Sequence, residues 1–187
     1  PHQGSDPLAG LFEWGMGSST VYYPSYLRAI GRQFEWHAVD NSRVWYERVR
    51  RRVRAAGLER QVHLACIAFP RPFDLPGCSM ARPACLGTYP DPGPVLCYIE
   101  YPKTLGMSFD LLLVDGRFRR RCLLLAREVV RPDGVVVLHD AHRAYYHSIL
   151  SAFPVSGFVR GWRFPGSKPR SQMWVGSVGE SAGQFLR

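Results

Sequence analysis

Lysine is almost missing from this chain: of its 24 basic residues only Lys103 and Lys168 are lysine, and the rest are arginine. GC-rich coding produces such a bias. It does not account for the excess of base over acid, 24 against 15, which leaves a formal net charge of +9. No apolar run approaches the ~18 residues that a membrane span needs, so no span is expected. The opening Pro1-His2-Gln3-Gly4-Ser5-Asp6 is polar and carries no signal-peptide pattern. It also lacks an initiator Met, which reads as a processed product or a fragment. Close-paired cysteines are absent too. Cys66 and Cys122 fall in apolar patterns and are expected to be core thiols, while Cys78, Cys85 and Cys97 lie in a long irregular stretch. No zinc motif matches that spacing. An odd count of five argues for an intracellular, reducing compartment.

What is present fits an ordered globular chain. Hydrophobic residues make up 46% of the 187, enough for one domain spanning 1–187 with a sizeable core. A basic balance favours anionic partners, nucleic acid or a phosphorylated substrate. The commoner origin of such charge is a solvated helix face.

Strand and helix patterns alternate along the chain. Strands are expected at 9–14, 34–40, 62–68, 109–115 and 134–140, and helices at 19–31, 44–57, 117–130 and 144–153. The 44–57 helix sets Trp45, Val49, Val53 and Ala56 on one face and five arginines largely elsewhere, with Gly57 as its stop. Residues 69–108 break the pattern and hold eight of the fifteen prolines. Such a Pro-rich inserted loop is a candidate substrate lid, whose Phe69, Phe73, Tyr89, Tyr98 and Tyr101 would line a pocket, or a segment that binds partner chains. The end differs in kind. Runs at 155–164 and 172–178 flank Pro165-Gly166-Ser167-Lys168-Pro169 and read as an antiparallel hairpin.

The most informative run is Leu11-Phe12-Glu13-Trp14-Gly15-Met16-Gly17-Ser18-Ser19-Thr20. A strand that ends in glycines before a helix lets backbone approach a ligand closely. Glu13 would repel a pyrophosphate and tolerate an amine-bearing ligand. About 20 residues later Phe34-Glu35-Trp36-His37-Ala38-Val39-Asp40 ends a second strand in an acid, within reach of ribose hydroxyls. Asp40 also precedes Asn41 and Ser42 at a helix start, and both roles can hold together.

With Phe109-Asp110-Leu111-Leu112-Leu113-Val114-Asp115-Gly116 and Arg131-Pro132-Asp133-Gly134-Val135-Val136-Val137-Leu138-His139-Asp140, these blocks resemble a class I S-adenosylmethionine-dependent methyltransferase. The match covers residues 9 to 178. It implies an α/β, doubly wound, mostly parallel seven-stranded Rossmann-like sheet of order 3-2-1-4-5-7-6, with an antiparallel C-terminal hairpin and helices on both faces. It implies S-adenosylmethionine as cofactor, with Glu13, Gly15 and Gly17 around the methionine part, Asp40 at the ribose, Cys66 and Ile67 near the adenine, and Ser18, Asn41 and Asp115 also among the cofactor-binding residues. Asp115 and Asp140 resemble two metal carboxylates of cation-dependent O-methyltransferases, which would take Mg²⁺ or another divalent cation. The family's following Asn is here Ala141, so a third ligand is missing.

The chemistry is expected from His139, Asp140, Asp115 and His142, at the ends of two adjacent central strands. A hydroxyl acceptor needs a base or a metal, and imidazole titrates near neutral pH. Arg117, Arg119, Arg120 and Arg121 open a helix, where positive charge is unfavourable, so they call for a reason: an anionic substrate or cofactor carboxylate, or a solvated run. The expected function is O-methylation of a small hydroxyl-bearing molecule such as a sugar or natural-product intermediate. The alternative is an inactive methyltransferase-like binding or structural module within a larger assembly. Nucleic acid is the less favoured substrate, because the (N/D)-P-P-(Y/F/W) motif of amino-directed enzymes is replaced by Asp115-Gly116-Arg117-Phe118.

Overall fold

The computed structural model describes residues 8–70, 89, 91–159 and 172–179. One seven-stranded sheet organises them, in the order β3-β2-β1-β4-β5-β7-β6. Its parallel part is β1 (Ala9–Trp14), β2 (Phe34–Asp40), β3 (Val62–Cys66), β4 (Phe109–Val114) and β5 (Val130–Leu138). The antiparallel part is β6 (Val155–Val159) and β7 (Met173–Ser177), with β7 inserted beside β5. The expected strand order and hairpin are therefore found. The run at 155–164 is described only as far as Val159, and the turn at 165–169 lies outside the described residues.

The central strands read as near-continuous apolar runs because both of their faces are covered. On one face α1 (Ser19–Ala29) packs Val21, Tyr23 and Leu27, and α2 (Arg43–Ala55) packs Val49 and Val53 with Leu58 just after it, against a cluster that holds Leu11, Trp36 and Ala38. On the other, α3 (Gly93–Thr104) and α4 (Arg119–Val129) cover Phe12, Trp14, Phe109, Leu112 and Val114. The Trp14 indole donates to the carbonyl of Ile99 at 3.2 Å, which satisfies its buried N–H and ties β1 to α3. Ser42 caps α2 by accepting from the Trp45 amide, and Gly57 at φ +65° ends it as expected. Among the described residues, no helix is long and apolar enough to cross a membrane.

Several expectations need correction. Residues 69–108 are not loop throughout, because 93–104 form α3; Pro94 sits in its first turn, where a missing N–H costs nothing. Among the described residues, Phe69, Tyr89 and Tyr98 are buried rather than lining an open pocket. Phe69 packs edge-to-face on Tyr89, Tyr98 and Phe118, and Tyr89 packs at a tilt on Phe118, all within the core cluster. Phe73, Cys78 and Cys85 lie outside the described residues. Cys97 is exposed on α3, Cys66 is half-buried, and Cys122 is fully buried. Trp45 is 45% exposed, under Arg48, rather than on the buried face of α2. β5 begins at Val130, because a register shift between Phe109 and Leu111 lets pairing start early. The helix expected at 144–153 is a 3₁₀ turn (Ala144–Tyr146) followed by α5 (His147–Leu150).

Candidate active site

β1, β4 and β5 end side by side, and their carboxyl ends are where an open parallel sheet binds ligand. The chain leaves β1 through Gly15, at φ +92°, where a Cβ would lie 2.5 Å from Gly116 of the next strand end. Only glycine fits there. Gly17 differs: a Cβ would meet nothing nearer than Ser19 Oγ at 3.9 Å. A cavity opens beyond it, lined by Gly17, Ser18, Ser19, Tyr22, Tyr23, Leu113, Asp115, His139 and Met173.

Glu13 does not face this cavity. Its side chain is fully buried. Ser19 donates to one carboxyl oxygen, and Thr20 Oγ1 (2.8 Å) and the Trp36 indole (3.2 Å) donate to the other. Burial outweighs these donors and raises its pKa to about 8, so the group is largely neutral near pH 7. The charge argument that singled out Glu13 therefore fails. The residue pins the start of α1 to the sheet.

Asp40 is also buried. One carboxylate oxygen accepts from the Met16 amide at 2.8 Å and the other from the Ser42 amide at 2.7 Å. It thus shapes the glycine turn and starts α2 at once. Asn41 donates to the Phe69 carbonyl at 3.4 Å. Cys66 ends β3, and the Ile67 amide donates to the Asp40 carbonyl. These four lie at the ends of β2 and β3, apart from the cavity lining.

His139 and Asp115 come together as expected, Nδ1 to Oδ1 at 2.9 Å. The Asp115 carboxylate raises the His139 pKa above its ordinary value, against a smaller opposing effect of burial. Asp140 lies 3.8 Å from the same Nδ1, on a backbone with φ +55°. His142 is exposed and outside the cavity lining.

Arg119 was the residue whose role the sequence did not disclose. Its guanidinium turns back from the first turn of α4. It donates to the carbonyls of Gly116, Asp115 and His139, and to Asp115 Oδ1 at 2.8 Å. Asp140 Oδ2 is 3.8 Å from it. The cation thus sits between the two carboxylates expected to hold a metal, and the buried Ala141 offers no side-chain ligand. This donor set does not fit a divalent ion. It also gives the Arg-rich start of α4 a reason, since Arg119 bonds strand ends, and Arg120 reaches Ser148 Oγ at 3.2 Å.

The glycine turn, by contrast, fits a cofactor. Gly17 leaves a space that any side chain would fill, and the Tyr22 and Tyr23 rings and the Asp115 carboxylate suit a sulfonium or ammonium group.

No family model matches the sequence, and no curated protein matches it significantly. Solved structures do match. One is the O-methyltransferase TomG from Streptomyces achromogenes, in complex with SAM: 17% identity, TM-score 0.58, 91% of this chain and 73% of that one. Another is cofactor-bound Rv0187 from MTB: 14% identity, TM-score 0.60, again 91% and 73%. A third is the CMeT domain of the citrinin polyketide synthase: 14% identity, TM-score 0.56, 92% of this chain but 47% of that one. The present chain thus spans about half of that structure. The fold is that of the class I S-adenosylmethionine-dependent methyltransferases.

Proposed function

We propose that the protein is an S-adenosylmethionine-dependent methyltransferase that methylates a hydroxyl group of a small molecule, without a metal. The observation that carries this reading is the His139–Asp115 pair on the same cavity as Gly17 and Ser18. When bound, S-adenosylmethionine supplies an electrophilic methyl group. Asp115 accepts the Nδ1 proton of His139, which fixes the tautomer and leaves the lone pair on Nε2. That nitrogen takes the acceptor's hydroxyl proton, and Asp115 stabilises the imidazolium that results. Arg119 holds both residues in place through the carbonyls and the Asp115 carboxylate. Alignment of acceptor and methyl group carries much of the remaining rate. A sugar or natural-product intermediate suits such a site, and the whole chain would act as one domain.

Calorimetry with S-adenosylhomocysteine tests the cofactor half. Wild type should bind, and Gly17→Val should fold, because its Cβ makes only an ordinary van der Waals contact with Ser19 Oγ at 3.9 Å, yet bind at least about tenfold more weakly. Unchanged affinity in folded Gly17→Val would remove the turn from the site. One observation favours a second reading, an inactive binding module: Glu13, the family-like acid of the turn, is closed inside the fold. Absence of binding by wild type would select it.

A further inference from the structure

We propose that Glu35, His37 and His63 form a binding site for a divalent cation of the zinc class at the edge of the sheet. The site is separate from the cavity: it lies on β2 and on β3, the strand that ends the sheet. His37 and His63 are direct register partners on these parallel strands, and Glu35, two residues before His37, points to the same face. One ligand atom from each residue lies within 4.8 Å of the other two.

His37 Nε2 is buried and has no hydrogen-bond partner among the described residues. A buried polar atom left in this state calls for an explanation, and an ion is one. Its neighbour Glu35 Oε2 is 3.6 Å away, too far for a hydrogen bond. Two ligands on one tetrahedral zinc, each at ~2.0–2.1 Å, stand roughly 3.3 Å apart, so this pair is already close to chelating distance. The His37 and His63 rings are stacked, with centroids 4.7 Å apart. Sharing one ion requires the His63 ring to swing, and its exposed position allows that while giving the ion a way in.

The chemistry of the set selects the metal class. Two imidazoles and one carboxylate suit zinc and its neighbours, whereas Mg²⁺ and Ca²⁺ prefer all-oxygen sites. Metal ligation needs neutral imidazole. Phe109, 6.5 Å from the His37 ring, walls the inner side. A water would complete the coordination. The bound ion would tie β3 to β2 by their side chains.

The test is titration of the full chain, reduced and metal-free, with Co²⁺ alone as the spectroscopic probe and then with Zn²⁺ in competition. The expected result is visible cobalt bands without a thiolate charge-transfer band, displacement by Zn²⁺, and a higher melting temperature with Zn²⁺. His63→Ala, an exposed substitution that leaves the core intact, should weaken Co²⁺ binding by at least about tenfold and abolish the thermal shift. Mg²⁺ should do neither. Equal Co²⁺ binding by wild type and His63→Ala would overturn the site, as would a thiolate band or no binding by wild type.

Discussion

Glu13 shows how far a single residue can be read from sequence. Its position after an apolar run was legible, and so was the glycine turn that follows. Its charge state was not, because β1 is buried on both faces from Gly10 onward and no alternation betrays which residues point inward. With a folded-state pKa of about 8 against 4.5 in the unfolded chain, the protonated form is the one the fold favours. Its stabilising effect is complete below about pH 4.5 and is lost as pH rises toward 8. Glu13→Gln should therefore hold wild-type stability at low pH and remove the loss between those limits. Its carbonyl can still accept from Thr20 and Trp36, and its amide can donate to Ser19. Denaturant midpoints measured from pH 5 to 9 check this; a wild-type profile that is flat or rises over that range would reject the neutral acid. Glu13→Leu should instead cost about 1–3 kcal/mol for each donor left stranded.

His139 titrates in the opposite functional sense. Its pKa is raised by Asp115, yet the base must be neutral to act. The kcat/KM of the proposed reaction should accordingly rise with pH through a value above the ordinary 6.5 of imidazole. Asp115→Asn should move that inflection downward, and His139→Ala should lower the rate by on the order of 10²–10⁴. A pH-rate profile with its inflection unmoved in Asp115→Asn would separate the pair from the chemistry.

At the level of elements, strands were more legible than the segments joining them. Buried parallel strands announce themselves as Val- and Leu-rich runs, and β1, β2 and β4 match their expected ranges within a residue. α3 escaped because Pro94 and Pro102 interrupt its pattern; Pro94 sits in the first turn, where a helix tolerates proline, while Pro102 lies inside the helix, where its missing N–H leaves out one helical hydrogen bond. The Arg119 clamp was legible only as an anomaly, three arginines in a row at a helix start. Which of them turns back to the strand ends depends on the αL backbone of Phe118, at φ +51°, which no composition rule supplies. Arg119→Ala should cost about 1–3 kcal/mol, since the carbonyls of Asp115, Gly116 and His139 and the Asp115 carboxylate lose a shared donor. Arg119→Lys should recover only part of this, because a point charge cannot reproduce the planar fork. Urea midpoints of both variants are the measurement. For the same reason chelator should leave the proposed activity unchanged, and restoration of chelated enzyme by Mg²⁺ or Mn²⁺ would show that Arg119 gives way to a metal.

Over the whole molecule, the order of strands was legible only through the resemblance that four ordered motifs and a terminal hairpin carry: it implies the 3-2-1-4-5-7-6 sheet, and that sheet is what the chain forms. The charge of +9 was equally plain, but its meaning depends on how the arginines are spread. On α2 they are solvated and largely committed locally. Arg48 lies over Trp45, Arg50 pairs with Glu47 at 3.0 Å, and Arg54 pairs with Glu59 at 2.9 Å. Arg119 is bound to the strand ends. Positive charge spread in this way among the described residues attracts any polyanion through counterion release, and this attraction weakens steeply with salt. At 0.15 M the screening length is ~8 Å, so charges that do not converge cease to act together. Duplex DNA of arbitrary sequence should therefore bind at low salt with a Kd no tighter than ~10⁻⁶ M and be released by about 0.2 M salt. S-adenosylhomocysteine affinity should change far less across that range, because the ligand is a small zwitterion and meets the single Asp115 carboxylate rather than a row of phosphate contacts. Anisotropy with labelled DNA and calorimetry with S-adenosylhomocysteine at matched salt decide the matter. DNA or RNA binding that persists at 0.2 M would move the proposed acceptor from a small molecule to a nucleic acid.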